Sequence, residues 1–104
     1  MIEFLRNLMG AGPKPDFEQL LSNGAVIVDV RTEREFRSGH VKGSVNIPLD
    51  KLPNSISKLK KNKPVITCCA SGMRSSTAKN ILLNNGFAEV YNGGSWLSVQ
   101  QKIR

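Results

Sequence analysis

An α/β fold with a largely parallel central sheet flanked by helices is predicted by three features of the sequence. Apolar strand-like runs alternate with segments that carry helix start and stop signals, the order expected of β-α-β units. Ala25-Val26-Ile27-Val28-Asp29-Val30 is almost continuously apolar, as a strand buried on both faces requires. Val65-Ile66-Thr67-Cys68 leads into Cys69-Ala70-Ser71-Gly72-Met73-Arg74-Ser75-Ser76, a short loop ahead of an apparent helix.

The elements follow in chain order. Ile2, Leu5 and Met9 share one helical face, with Phe4 and Leu8 beside it, so residues 1–15 read as a short amphipathic segment ending in the hinge Gly10-Ala11-Gly12-Pro13-Lys14-Pro15. The domain proper then occupies residues 16–104. Asp16 is an N-cap with Gln19 at the capping-box position, and Gly24 lies just past the helix they start. After the Ala25–Val30 strand, Arg31 to Arg37 reads as a short helix stopped by Ser38-Gly39. Val45 to Leu49 is a second strand, with Pro48 placing its end at an edge or turn. Asp50 to Leu59 reads as another helix, with Pro53 in its first turn. Pro64 to Cys68 is the third strand, and the helix from Ser75 to Leu83 stops at Asn84-Asn85-Gly86. Ala88 to Tyr91 is the fourth strand. Asn92-Gly93-Gly94-Ser95 then turns the chain into a final helix that Trp96 anchors in the core.

A chain of 104 residues fits one domain and is long enough to build a core without disulfide staples. Its two cysteines are adjacent and cannot form a long-range framework bond; reduced thiols point to the cytoplasm. No stretch approaches the roughly 20 apolar residues that a membrane span requires, so no stable membrane insertion is expected. The formal net charge is +7, much of it in Lys58-Leu59-Lys60-Lys61-Asn62-Lys63. That run reads as a solvated turn, without the aromatic or arginine patterning of a nucleic-acid surface; steering of small anionic substrates is the more economical use of the charge.

Chemistry concentrates in the loop Cys69 to Ser75. A free cysteine has a pKa of about 8.5, whereas a helix N-terminus or a nearby arginine lowers it into a range of roughly 3.5–7.5. Arg74 and the following helix start supply both influences. Curled around a sulfur, the loop would form a nest of amide donors for a thiolate, a persulfide or an oxyanion, and Gly72 permits the positive φ of such a curl. A lone cysteine would be read as a small buried hydrophobe. Here a glycine, an arginine and a helix start coincide with it.

Several landmarks together resemble the rhodanese-like family: Asp29-Val30-Arg31, Glu35-Phe36, Gly39-His40-Val41-Lys42-Gly43-Ser44-Val45-Asn46-Ile47-Pro48, the loop Cys69 to Arg74, and Gly93-Gly94 with Trp96. The resemblance runs from about Asp16 to Trp96 and implies a single-domain sulfurtransferase with a rhodanese-like fold. It implies a ping-pong reaction: Cys69 attacks a small anionic sulfane-sulfur donor such as thiosulfate or polysulfide, carries a persulfide, and passes the sulfur to a thiol or cyanide acceptor. Amides from Ala70, Ser71, Gly72, Met73 and Ser75 would hold the persulfide, and Arg74 would favour anionic species. No metal and no organic cofactor is implied. Asp29, Arg31 and Glu35 are expected in a charged structural network, and His40 in a turn as a hydrogen-bonded scaffold residue.

Two other readings stand beside this one. Counted from Cys68, five residues rather than four precede Arg74, the loop length of phosphatases and arsenate reductases that share the fold and need a wider cradle. Gly72 falls three residues after Cys69, as in the rhodanese pattern, which makes Cys68 a core-facing strand residue or, secondarily, a resolving thiol. The second reading is a relay module that takes sulfur only from a protein sulfur carrier. The sequence carries no signal of oligomeric state.

Overall fold

The computed structural model describes residues 15–103, so the amphipathic segment and most of the hinge expected over residues 1–15 lie outside the described residues. Helix α1 (Phe17–Ser22) starts where Asp16 accepts a hydrogen bond from the Gln19 amide at 3.1 Å. Strand β1 (Val26–Asp29) follows, then α2 (Glu33–Ser38), β2 (Val45–Asn46), β3 (Val65–Cys69), α3 (Met73–Asn84), β4 (Val90–Ser95) and α4 (Trp96–Lys102). The strands form one sheet in the order β2-β1-β3-β4 with every neighbouring pair parallel.

Strand alternation divides the core between the two faces of this sheet. Val28, Val30, Val65 and Cys69 pack with Leu52, Ala78, Leu82 and Phe87 on one face. Ile27, Ile66 and Cys68 pack with Phe17, Val41 and Val99 on the other. Adjacent residues of a strand point to opposite faces, so the vicinal cysteines enter different halves of the core.

Several boundaries differ from the expectations for physical reasons. The helix expected over Asp50 to Leu59 is instead two 3-10 segments, Leu49–Asn54 and Ile56–Lys58. In an α-helix the Pro53 ring would clash with the Leu49 carbonyl four residues back. Leu52 nevertheless anchors the first segment, fully buried. Strand β2 is only two residues long and ends before Pro48. Asn92 to Ser95 is not a turn but the second half of β4, accommodated by a register shift opposite Thr67 and Cys69. Only glycine fits at 93, where a Cβ would lie 2.6 Å from Val99 Cγ2 and 2.8 Å from the Thr67 carbonyl oxygen. Trp96 is half-buried rather than fully enclosed.

The charged residues near the end of β1 form a scaffold. Arg31 Nη2 lies 2.8 Å from Asp29 Oδ2 and donates to the Gly39 carbonyl at 2.6 Å, while the guanidinium stacks 4.9 Å from the Trp96 ring. Both charges are buried, and the pairing and carbonyl contact satisfy them there. Glu35 touches this network only through its backbone carbonyl, which accepts from Arg31 Nη1 at 3.3 Å; its carboxylate is used elsewhere. His40 is tied to the Phe36 carbonyl through Nδ1 at 2.7 Å and stacks on the Phe36 ring, in keeping with a scaffold role.

The lysine run lies at the wrong end of the sheet for steering toward the loop. Lys63 lies against Gly24 and Lys61 against Gly86, beside the starts of strands, whereas the cysteine loop follows the end of β3. About 13 Å of strand separates Val65 from Cys69, more than the Debye length of about 8 Å at physiological salt.

Candidate active site

Parallel sheets place their loops for ligands beyond the carboxyl ends of the strands, and the chain from Cys69 to Met73 makes such a loop between β3 and α3. Gly72 is the N-cap of α3, left-handed at φ 107°, and it has no side chain with which to cap the helix. Two amides at this end turn to the sulfur instead. Gly72 N–H donates to Cys69 Sγ at 2.9 Å and Ser75 N–H donates at 3.4 Å. The sulfur thus takes the place of a capping oxygen, at the positive end of a twelve-residue helix. Helix α3 begins at Met73, two residues before the expected Ser75, because Gly72 makes the turn.

Cys69 is 1% exposed. Burial by itself raises its pKa, but the hydrogen bond from the Ser75 amide, the hydrogen-bonded contact with the Ser75 hydroxyl and the bonds from the Gly72 and Ser71 amides outweigh that effect and hold the thiol below its ordinary value. Cys68, fully buried, shows the opposite balance. Burial and the nearby Asp29 carboxylate push its thiol up to about 12, with Arg31 offsetting part of the rise. The loop therefore closes around Cys69, with four residues between it and Arg74, and the five-residue count from Cys68 does not describe a cradle around a sulfur.

Arg74 departs from the expectation most clearly. It does not turn to the thiol; Nη1 and Nη2 donate to Glu35 Oε1 and Oε2 at 2.7 and 3.0 Å, a bidentate clamp between α3 and α2. Glu35 is itself fixed from the other side. As the third residue of α2 it completes a capping box with Thr32, accepting from the Thr32 amide at 2.9 Å. The Arg74 guanidinium and the Thr32 amide together hold the Glu35 carboxyl at about 2, down from 4.5, so it stays ionised. Stabilisation of the Cys69 thiolate thus comes from backbone and hydroxyl dipoles.

Two further residues shape the nest. Ser75 is fully buried, and its hydroxyl lies 3.6 Å from Cys69 Sγ, 2.6 Å from Asn92 Oδ1 and 3.0 Å from the Gly72 carbonyl. Asn92 Oδ1 also accepts from the Gly94 amide at 2.9 Å, which ties the loop to the irregular end of β4. Thr67 Oγ1 donates to the Ser75 carbonyl at 2.9 Å from beneath. The sequence reading missed Asn92, because a turn assignment gave its side chain nothing to hold; the signal was a polar residue directly before Gly93-Gly94. Of the residues expected at the site, the structure gathers Cys69, Ser71, Gly72 and Ser75 around the sulfur. The Ala70 and Met73 amides are not among those that act on the sulfur, and both side chains are exposed, Met73 by 79%.

Comparison with known proteins places these features in context. A family model described as the rhodanese-like domain matches residues 14–100. The chain is 36% identical over 80 residues to the thiosulfate sulfurtransferase GlpE of Stutzerimonas stutzeri, a match covering 77% of this chain and 73% of that protein. It is 40% identical over 68 residues to the uncharacterized protein YqhL of Bacillus subtilis, covering 65% of this chain and only 54% of YqhL. Among solved structures, a rhodanese with anions from E. coli superposes with a TM-score of 0.68 at 32% identity, over 72% of this chain and 91% of that one.

Proposed function

Because this chain belongs to the rhodanese-like domain family, which includes curated sulfurtransferases, we propose that it transfers sulfane sulfur through a Cys69 persulfide. The observation that carries the reading is the pair of helix-start amides aimed at Cys69 Sγ. They favour the thiolate, the form that attacks. The thiolate bonds to the outer sulfur of a donor such as thiosulfate or polysulfide, the donor's S–S bond breaks, and its electron pair leaves with the departing sulfite or shortened sulfur chain. The same amides then face the new persulfide. A thiol or cyanide acceptor attacks the outer sulfur and restores the Cys69 thiolate. Each half-reaction has one displacement and needs no general base once the thiolate is present.

Cys68 has no part in this scheme, since its thiol is buried on the opposite face and stays protonated. The loop amides converge on Cys69 rather than Cys68, with four residues between Cys69 and Arg74, which supports sulfur transfer over the phosphatase reading. Wild type, Cys69→Ser and Cys68→Ser are incubated with thiosulfate or polysulfide, then analysed by intact mass and by thiocyanate release on adding cyanide. Wild type and Cys68→Ser should each gain one cyanide-labile sulfur, and Cys69→Ser none. Sulfur loading that survives in Cys69→Ser would overturn the assignment. Among the described residues no helix is long and apolar enough to cross a membrane.

A further inference from the structure

We propose that the lysine run and the first residues of the sheet form a second binding site, one that takes a small amphipathic anion, a carboxylate carried on a short alkyl chain. The site lies at the end of the sheet away from Cys69 and does not depend on the sulfur chemistry.

A cleft there has an apolar floor and a basic rim. Val26, Val45, Ile47 and Leu59 line about 320 Å³ of space, and Lys58, Lys60 and Lys63 stand around it. That volume falls at the lower end of the range for small-molecule sites, roughly 300–1,000 Å³. The floor carries the core outward on one face of the sheet. Ile47 is a buried member of the cluster around Val28 and Leu52, and Val26 and Leu59 pack half-buried against that cluster. Val45 shares the face of Ile47, two residues further on, yet is 44% exposed. Gly24 completes the wall beside Lys63; a Cβ there would lie 3.1 Å from Lys63 Nζ, so a side chain at this position would displace the ammonium.

Charge decides what the cleft takes. Among the described residues no acid lines it, and none of its three lysines pairs with a carboxylate. Lysine stems lie along apolar surface and carry the ammonium to its edge. Aliphatic side chains below and unpaired ammonium groups above therefore match a ligand with an apolar tail and one anionic head. A second copy of this chain would bring a net charge of +7 to the same rim, and residues 1–14 carry Arg6 and Lys14 against Glu3. Neither supplies the missing negative charge. An alkyl carboxylate supplies it, and its tail covers the floor that a hydrophilic anion would leave in water.

The test is a titration of the isotope-labelled whole chain with hexanoate, acetate and hexanol, followed by amide correlation spectra. Hexanoate should shift the amides of Gly24, Val26, Val45, Ile47 and Leu59 and leave those of Cys69 to Ser75 in place. Each buried methylene strengthens binding about three- to fourfold, so hexanoate should bind about tenfold or more tightly than acetate. Hexanol, which lacks the charge, should also bind more weakly. Lys58 and Lys60 are exposed, and the double variant Lys58→Glu, Lys60→Glu should weaken hexanoate about tenfold while leaving hexanol unchanged. Val45→Ser should weaken both ligands, and a melting curve establishes that each variant is folded. Hexanoate binding no more tightly than acetate, or equally in wild type and both folded variants, overturns the assignment. Shifts spread over Met73, Leu83 and Leu97, the other exposed large apolar side chains among the described residues, would mark adsorption without a site and overturn it too. The same cleft amides moving on dilution of the chain, on Leu5→Asp substitution or on addition of phosphatidylglycerol vesicles, with no response to hexanoate, would give the cleft to a second copy, to the chain's own N-terminal segment or to a membrane surface. Each of those results overturns the small-ligand assignment.

Discussion

Replacing Gly72 with alanine should separate stability from sulfur chemistry in a way that tests the nest directly. Gly72 sits at φ 107°, ψ −11°, and a left-handed conformation costs an L-residue about 1–2 kcal/mol. Steric contact adds little, since the new Cβ would meet only Gly94 Cα at 3.4 Å and Gly94 carbonyl carbon at 3.9 Å. The expected penalty is thus about 1–2 kcal/mol, or a melting temperature lower by roughly 5–15 °C for a domain of this size. The backbone relieves that strain by rotating toward smaller φ, which swings the Gly72 amide away from Cys69 Sγ, 2.9 Å distant in the native loop. A hydrogen bond to a charged group contributes about 1.5–3 kcal/mol, so sulfur loading should slow by roughly 10- to 100-fold. Thermal unfolding followed by circular dichroism reads the first effect, and single-turnover loading below the melting transition reads the second. Native melting together with native loading would refute the strain argument. Lower melting with unchanged loading would show that the Gly72 amide does not serve the sulfur.

Iodoacetamide should modify one thiol per folded chain, Cys69, with the reaction rising at a pH below that of an ordinary cysteine, because Cys68 is pushed up to about 12 and buried. Two-site labelling of the native protein, read by peptide mass, would contradict the division of the cysteines between faces. Glu35 titrates at about 2 in the folded chain against an ordinary 4.5; a depressed folded value stabilises above pH 4.5 and loses that contribution as pH falls from about 4.5 to 2. The clamp is partly exposed, so screening limits the effect to about 1 kcal/mol or less. Urea unfolding across that window should show a shallower acid loss in Glu35→Gln, and parallel curves would count against the clamp. Gly93→Ala places a methyl 2.6 Å from Val99 Cγ2 and 2.8 Å from the Thr67 carbonyl, and should cost about 1–3 kcal/mol by overpacking. A variant within about 0.5 kcal/mol of wild type in urea unfolding would mean that α4 yields more easily than its packing implies.

The parts of the fold legible in the sequence were those written in short-range patterns. The apolar run through Val26-Ile27-Val28, the Asp16 cap and the Cys69 loop each depend on neighbours a few residues away, and each stands close to where it was expected. Period-two alternation was enough to send Cys68 and Cys69 to opposite faces. What the sequence hid was long-range. The partner of Arg74 is Glu35, 39 positions earlier, and only the packing of α2 beside α3 brings the two together; local spacing suggested that Arg74 would serve the thiol beside it. Asn92 was hidden for a related reason. Asn-Gly-Gly has the composition of a turn, yet the tight approach of Val99 and the Thr67 carbonyl makes Gly93 a packing glycine within a strand.

The sulfur's supports also bear on why an arginine so close to a reactive thiol should be tied down. The Ser75 carbonyl accepts from Thr67 and its hydroxyl donates to Asn92, while the Gly72 amide is set by the left-handed cap, so the Ser75 and Gly72 amides are oriented before any ligand arrives. Preorganised dipoles need little rearrangement as charge develops on the group they face. A free guanidinium would add attraction, but it would extend that attraction to any abundant oxyanion that reached the loop. Glu35 balances the Arg74 charge, while the amides of Gly72 and Ser75 remain turned to the sulfur. In the proposed chemistry, recognition of the sulfur therefore rests on the oriented amides of the nest.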